Sequence, residues 1–209
     1  MTRKAHRFKD EAGAGAREGG SSHRGQMAAW WRLSIVLLVL ALPSLASAAV
    51  EISFYSKEWR DTFPHAFIVL RGTDERTGER IDASYGFTAT RVSPAILFGS
   101  VQGEVRPAKP EYIAGSDEHF RFVLTDAEFD SVLATIERWK TLSQPSYNLN
   151  RQNCVFFVAD IASALAMKAD RPKELMKKPR SFLELLTGAN RDWLSARRAT
   201  YVRATAVAQ

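Results

Sequence analysis

Tyr147-Asn148-Leu149-Asn150-Arg151-Gln152-Asn153-Cys154 runs without a break into Val155-Phe156-Phe157-Val158-Ala159. A polar, Asn-rich turn becomes an apolar run at the only cysteine of the 209-residue chain. The run keeps a helical period, with apolar side chains at Val155, Val158, Ile161, Ala162 and Leu165. Asn153, or Asn150 a turn earlier, can cap that helix, which predicts Cys154 in its first turn. Unpaired backbone N–H groups and the positive end of the helix dipole favour a thiolate there. A small buried cysteine at a helix start is the plainer account of the same pattern, so the surrounding chain must decide between them.

Around this stretch the second half of the chain is helical. Thr125-Asp126-Ala127-Glu128 is a capping box, followed by an apolar face at Phe129, Val132, Leu133, Ile136 and Trp139. The cysteine helix is expected to reach about Met167. Pro172 and Pro179 punctuate a basic connector, and Ser181 to Glu184 opens a short helix that ends at Gly188. Residues 191–209 read as a weakly amphipathic tail.

The first half is extended. Val50, Ile52 and Phe54 alternate with Glu51, Ser53 and Tyr55 as in a half-buried strand. Phe63 to Leu70 is a dense apolar strand opened by Pro64. A charged turn at residues 71–78 joins it to a second strand, Ile81 to Phe87, as a hairpin. Ser93 to Pro110, rich in Gly and Pro, reads as a long loop, and His119 to Leu124 as a further strand. Strands followed by helices predict an α+β domain over residues 49–190, an antiparallel sheet packed against helices. No internal repeat interrupts it.

The amino terminus falls outside that domain. Residues 1–26 are too poor in apolar groups to order themselves. Residues 27–48 combine a basic lead, the apolar run Leu33 to Leu42 and Ala46-Ser47-Ala48, the layout of a secretory signal peptide cut after Ala48. Retention of residues 30–50 as an inner-membrane anchor is the alternative. Periplasmic or secreted placement is the expectation, with membrane association through the leader. Residues 1–48 hold 7 Lys and Arg against 3 Asp and Glu, so they account for most of the formal charge of +6. The remainder is nearly balanced, and its basicity implies no nucleic-acid partner. Neither metal-ligand spacing nor a phosphate-binding glycine loop occurs, so no cofactor is expected. A monomer is expected.

Among the four histidines, His6 and His23 precede the domain and His119 reads as a solvated strand-edge residue. His65 begins the most apolar strand, where a ring nitrogen needs a partner. A thiol becomes a nucleophile at neutral pH when a histidine within hydrogen-bond reach takes its proton, which makes Cys154 and His65 the candidate pair, although 89 positions separate them. Candidate orienters for the imidazole are Asp82, Ser84 and Tyr85, with Ser84 and Tyr85 preferred. Gln152 and Asn153 shape the turn, and the first helical turn offers an oxyanion donor.

A histidine opening a strand, the Ser84-Tyr85-Gly86-Phe87 strand, and Tyr147-Asn148-Leu149 leading to Asn153-Cys154 and Phe157-Val158 together resemble the permuted papain-like superfamily. That group is related to NlpC-like cell-wall peptidases and to lecithin retinol acyltransferase, and its histidine strand precedes its cysteine helix. The resemblance spans roughly residues 50–190. It implies a circularly permuted papain-like arrangement with Cys154 as nucleophile and His65 as base. It further implies hydrolysis or acyl transfer on a peptide, peptidoglycan or acyl-ester substrate. Pro64 stands where many members carry glycine. A module of the same fold with an unactivated cysteine, serving binding or envelope structure, is the competing expectation.

Overall fold

Period-two alternation gives this chain strands with two unlike faces, and the fold follows from how each face is covered. The computed structural model describes residues 49–58 and 63–201. The extension, the leader and residues 202–209 lie outside them. The strands are β1 (Glu51–Lys57), β2 (His65–Thr73), β3 (Arg80–Ala89), β4 (Gly103–Arg106), β5 (Asp117–Val123) and β6 (Thr200–Tyr201). They form one six-stranded sheet in the order β4-β3-β2-β1-β5-β6, every neighbouring pair antiparallel. The helices are α1 (Pro110–Ala114), α2 (Asp126–Lys140), α3 (Cys154–Ala164), α4 (Pro179–Ala189) and α5 (Arg191–Ala196). The chain is therefore α+β, an antiparallel sheet packed against helices.

The main core lies between one sheet face and α2, α3 and α4. Ile52, Phe54, Ala66, Ile68, Leu70, Phe87, Phe120 and Phe122 meet Val132, Ile136, Val155, Val158, Phe182 and Leu186 there. The opposite face is thinner. Tyr55, Phe67 and Val69 are buried beneath Ala108 and, from α1, Tyr112 and Ile113. Because β2 is central and covered on both faces, Ala66 to Leu70 are all buried, which explains its unbroken apolar reading. Asp160 ties α3 to its neighbours: Trp139 Nε1 donates to it at 2.9 Å, and Arg138 and Arg171 pair with it.

Three expectations change. The long loop at Ser93 to Pro110 contains a strand, β4, built from four residues that pair with the far end of β3. The tail beyond residue 190 joins the body: Leu194 is fully buried, and Thr200–Tyr201 extends the sheet beside β5. His119 is buried rather than solvated. The β1–β5 register slips between Phe54 and Tyr55, from Phe54↔Phe120 to Tyr55↔Glu118. The extra residue of this bulge is His119, whose Nε2 lies 2.8 Å from Ser56 Oγ. Among the described residues, no helix is long and apolar enough to cross a membrane.

Candidate active site

Asn153 shows why α3 begins where it does. Its backbone is extended (φ −137°), and its Oδ1 accepts from the amides of Val155 at 2.8 Å and Phe156 at 3.4 Å. Its Nδ2 donates to the carbonyls of Leu149 at 2.7 Å and Met176 at 2.8 Å. All four hydrogen-bonding positions of this buried side chain are thus used, two capping the helix and two holding the lead-in and the α3–α4 connector. No side-chain proton of Asn153 is left for an oxyanion. Gln152 differs: its backbone pairs with Asn148, while its half-buried side chain makes no hydrogen bond among the described residues.

The sheet opens beside the cysteine. The β2–β3 ladder runs from Thr73↔Arg80 to Ile68↔Tyr85 and stops, and from Gly86 onward β3 pairs with β4 instead. The two strands part at the His65 end of β2. The backbone amides of Ala66 on β2 and of Cys154 and Val155 in the first turn of α3 lie against the Cys154 sulfur. The His65 ring lies on the other face of the sheet, the face of Phe67. It stacks beside Phe67, with ring centroids 6.0 Å apart, and lays its Nε2–Cε1 edge over the backbone of Gly86. Only a residue without Cβ admits the ring so closely, since a methyl at position 86 would overlap Nε2 and stand 3.0 Å from Phe67 Cβ.

Sulfur and imidazole are not brought together: His65 shares the sheet face of Phe67, Cys154 belongs to the core on the face of Ala66 and Phe87, and no hydrogen bond joins them. Nor does a described side chain bond either imidazole nitrogen. Ser84 is occupied elsewhere, donating to the Ala108 carbonyl at 3.3 Å and accepting from the Ala108 amide at 2.8 Å. Tyr85 packs at the core margin, with Lys140 Nζ 5.6 Å from its ring centre. Asp82 pairs with Arg71. The group found next to the thiol instead is Tyr147, whose ring stacks on Phe87 at 5.8 Å. Its phenol is pushed upward first by burial and then by the charge Cys154 would carry. Gly86 and Tyr147 both lie inside motifs that the sequence displays; what it did not display is their contact with the reactive groups.

Electrostatics favour a resting, neutral pair. Burial drives the Cys154 thiol up to about 11 against the pull of three amides, and burial alone drives His65 down to about 4. The helix start therefore loses to desolvation, against the expectation of a thiolate. Moving the proton from thiol to imidazole costs on the order of 10 kcal/mol across that gap. Attraction between the resulting charges at contact returns only about 4 kcal/mol at an effective dielectric near 20.

No family model matches this chain, and no curated protein sequence matches it. A solved structure shows partial likeness: the type VI secretion system effector TseH, 18% identical, TM-score 0.42, the alignment covering 66% of this chain and 87% of that one.

Proposed function

We propose that this chain is an exported thiol hydrolase or acyltransferase of permuted papain-like arrangement, its leader removed after Ala48 or retained as an anchor. The observation that carries the reading is Cys154 at the capped start of α3, its sulfur beside the Ala66 amide of β2 and so one residue along the chain from His65. For catalysis the His65 ring must swing from the Phe67 face to the sulfur, at the end of β2 that β3 leaves after Ile68↔Tyr85. An acyl substrate entering there displaces solvent. Cys154 adds to its carbonyl as His65 takes the thiol proton, so charge develops only along the reaction coordinate. On this reading the amide of Cys154 and the side chain of Gln152 would supply the oxyanion donors. His65 returns the proton to the leaving amine or alcohol, and water or a second nucleophile resolves the thioester. Cell-wall stem peptides and acyl esters are the substrate classes the reading admits, acted on by a monomer.

The test is covalent trapping. Incubation with p-nitrophenyl esters and with muropeptides should load an acyl group onto the Cys154 peptide, read by mass spectrometry. Cys154→Ala should abolish the adduct, and His65→Ala should slow its formation by about a hundredfold or more. A folded protein that never acylates, or one that acylates equally well without His65, sinks the reading. One observation favours the second reading, a binding or envelope-structural module: thiol and imidazole both rest neutral with no orienting group on the ring. Tight muropeptide binding without turnover would select it.

A further inference from the structure

Val92 to Val101 is ten residues without a charge. The middle of the stretch, Pro94–Leu97, is a single 3-10 turn in which the Phe98 amide donates to the Ala95 carbonyl at 3.1 Å. Only Ile96 turns inward. Val92, Leu97 and Phe98 are 59%, 72% and 88% exposed, the densest grouping of exposed large apolar side chains among the described residues. The turn is held at its base rather than loose. Val101 and Tyr147 exchange two backbone hydrogen bonds of 2.9 Å, and Asn148 Nδ2 donates to Ser100 Oγ at 3.1 Å. The tip therefore projects from the segment that leads into Cys154.

Two arginines stand at its foot. Arg91 precedes the tip, and Arg151 lies in the turn that Ser100 holds through Asn148. Both are exposed, and neither has an ion pair among the described residues, whereas Arg106 on the adjoining strand is paired with Glu104. Apolar side chains on a firm protrusion, with two arginines at its foot that have no ion pair among the described residues, match the layered chemistry of an anionic membrane surface. A protein partner fits less well. Three side chains offer roughly 400 Å², about half of what one side of a stable protein interface buries.

We infer that this tip is a membrane-docking wedge: Val92, Leu97 and Phe98 enter the interfacial layer of a bilayer while Arg91 and Arg151 meet anionic headgroups. The wedge is independent of catalysis by Cys154. It is also distinct from the leader, because it would hold the domain itself, cysteine lead-in downward, against the lipid.

Position-specific fluorescence separates wedge from leader in the full-length chain. In a Cys154→Ala background, a nitrobenzoxadiazole dye is attached at Leu97→Cys or, as control, at Glu79→Cys on the β2–β3 turn. Vesicles of phosphatidylcholine with and without phosphatidylglycerol are added. The dye at 97 should shift to the blue and brighten severalfold on anionic vesicles, while the dye at 79 stays aqueous. The Arg91→Gln/Arg151→Gln pair should weaken that response about fivefold per arginine removed. Moved to Val92→Cys, the dye should lose the response when Leu97→Asp and Phe98→Asp are introduced. An aqueous spectrum at 97 on a chain that nevertheless sediments with vesicles overturns the wedge and leaves the leader as the binder. A blue shift that needs no lipid overturns it in favour of self-association.

Discussion

At the scale of single residues, the site is defined by two that carry no reactive atom. Asn153 commits all four side-chain hydrogen bonds to the cap, the lead-in and the connector, so its role is to fix where the helix starts and hence where Cys154 stands. Gly86 makes room for the imidazole. Replacing Gly86 with alanine should displace the ring from its seat beside Phe67 and, on the proposed mechanism, lower acylation of Cys154 by at least tenfold, at a stability cost of about 1–3 kcal/mol for overpacking. The overlap is with the His65 ring and, less severely, with Phe67 Cβ. Adding His65→Ala to Gly86→Ala should therefore restore most of the stability and none of the activity. A double-mutant cycle by urea unfolding measures this, and additive costs would show that the two residues do not touch. The sequence showed Gly86 inside a strand motif, yet nothing in its spacing told that a ring from the neighbouring strand lies across it.

At the scale of elements, regular periods were readable and local irregularities were not. The capping box of α2 forms as its residues foretell, with Thr125 Oγ1 accepting from the Glu128 amide and Glu128 answering to the Thr125 amide. The apolar faces of α2 and α3 and the alternation of β1 are likewise visible in the residues. β4 was hidden because Gly103–Arg106 is too short to show a period, and its pairing depends on β3 turning away from β2. The bulge in β5 was hidden for a similar reason: a one-residue slip leaves no mark in composition, yet it moves His119 from solvent to beneath α4. That move has a measurable result. Burial holds His119 at about 4, with Glu184 and Asp117 opposing the shift and Arg180 adding to it. The unfolded chain takes up this proton near pH 6.5, whereas the folded chain resists until near 4. Stability is therefore lost as pH falls through that window, by up to about 3 kcal/mol from this group. Urea unfolding between pH 7 and 4 should show His119→Asn, which can still bond Ser56, with a shallower acid slope than the parent. Equal slopes would place the acid sensitivity elsewhere, with His65 the next group to examine, since burial depresses it in the same direction.

At the scale of the molecule, the sheet is closed at one edge by the segment that composition marked as a tail. Its residues look weakly amphipathic because their partners are far away in sequence. Leu194 is fully buried in the main core, Trp193 meets Phe122 edge to face at 5.1 Å, and Tyr201 pairs with Phe120. Arg197 stacks over Trp193 at 4.3 Å and also pairs with Glu128, the residue that closes the α2 capping box. Asn190 binds the α3–α4 connector through the amide and carbonyl of Lys168, both at 2.8 Å. Losing the buried Leu194, the partly buried Trp193 and Tyr201, a partly buried ion pair and these hydrogen bonds should cost about 5 kcal/mol or more. That is a large part of the 5–15 kcal/mol that holds a domain together. A chain ending at residue 189 should consequently be found unfolded or aggregated, while one ending at residue 201 should melt within a few degrees of the full chain. Thermal unfolding followed by circular dichroism decides it, and a cooperative, near-parental melt of the 189-residue chain would return the segment to the status of a tail. The single substitution Leu194→Ala supplies a graded version of the same measurement, with an expected cost of 2–5 kcal/mol for a fully buried leucine.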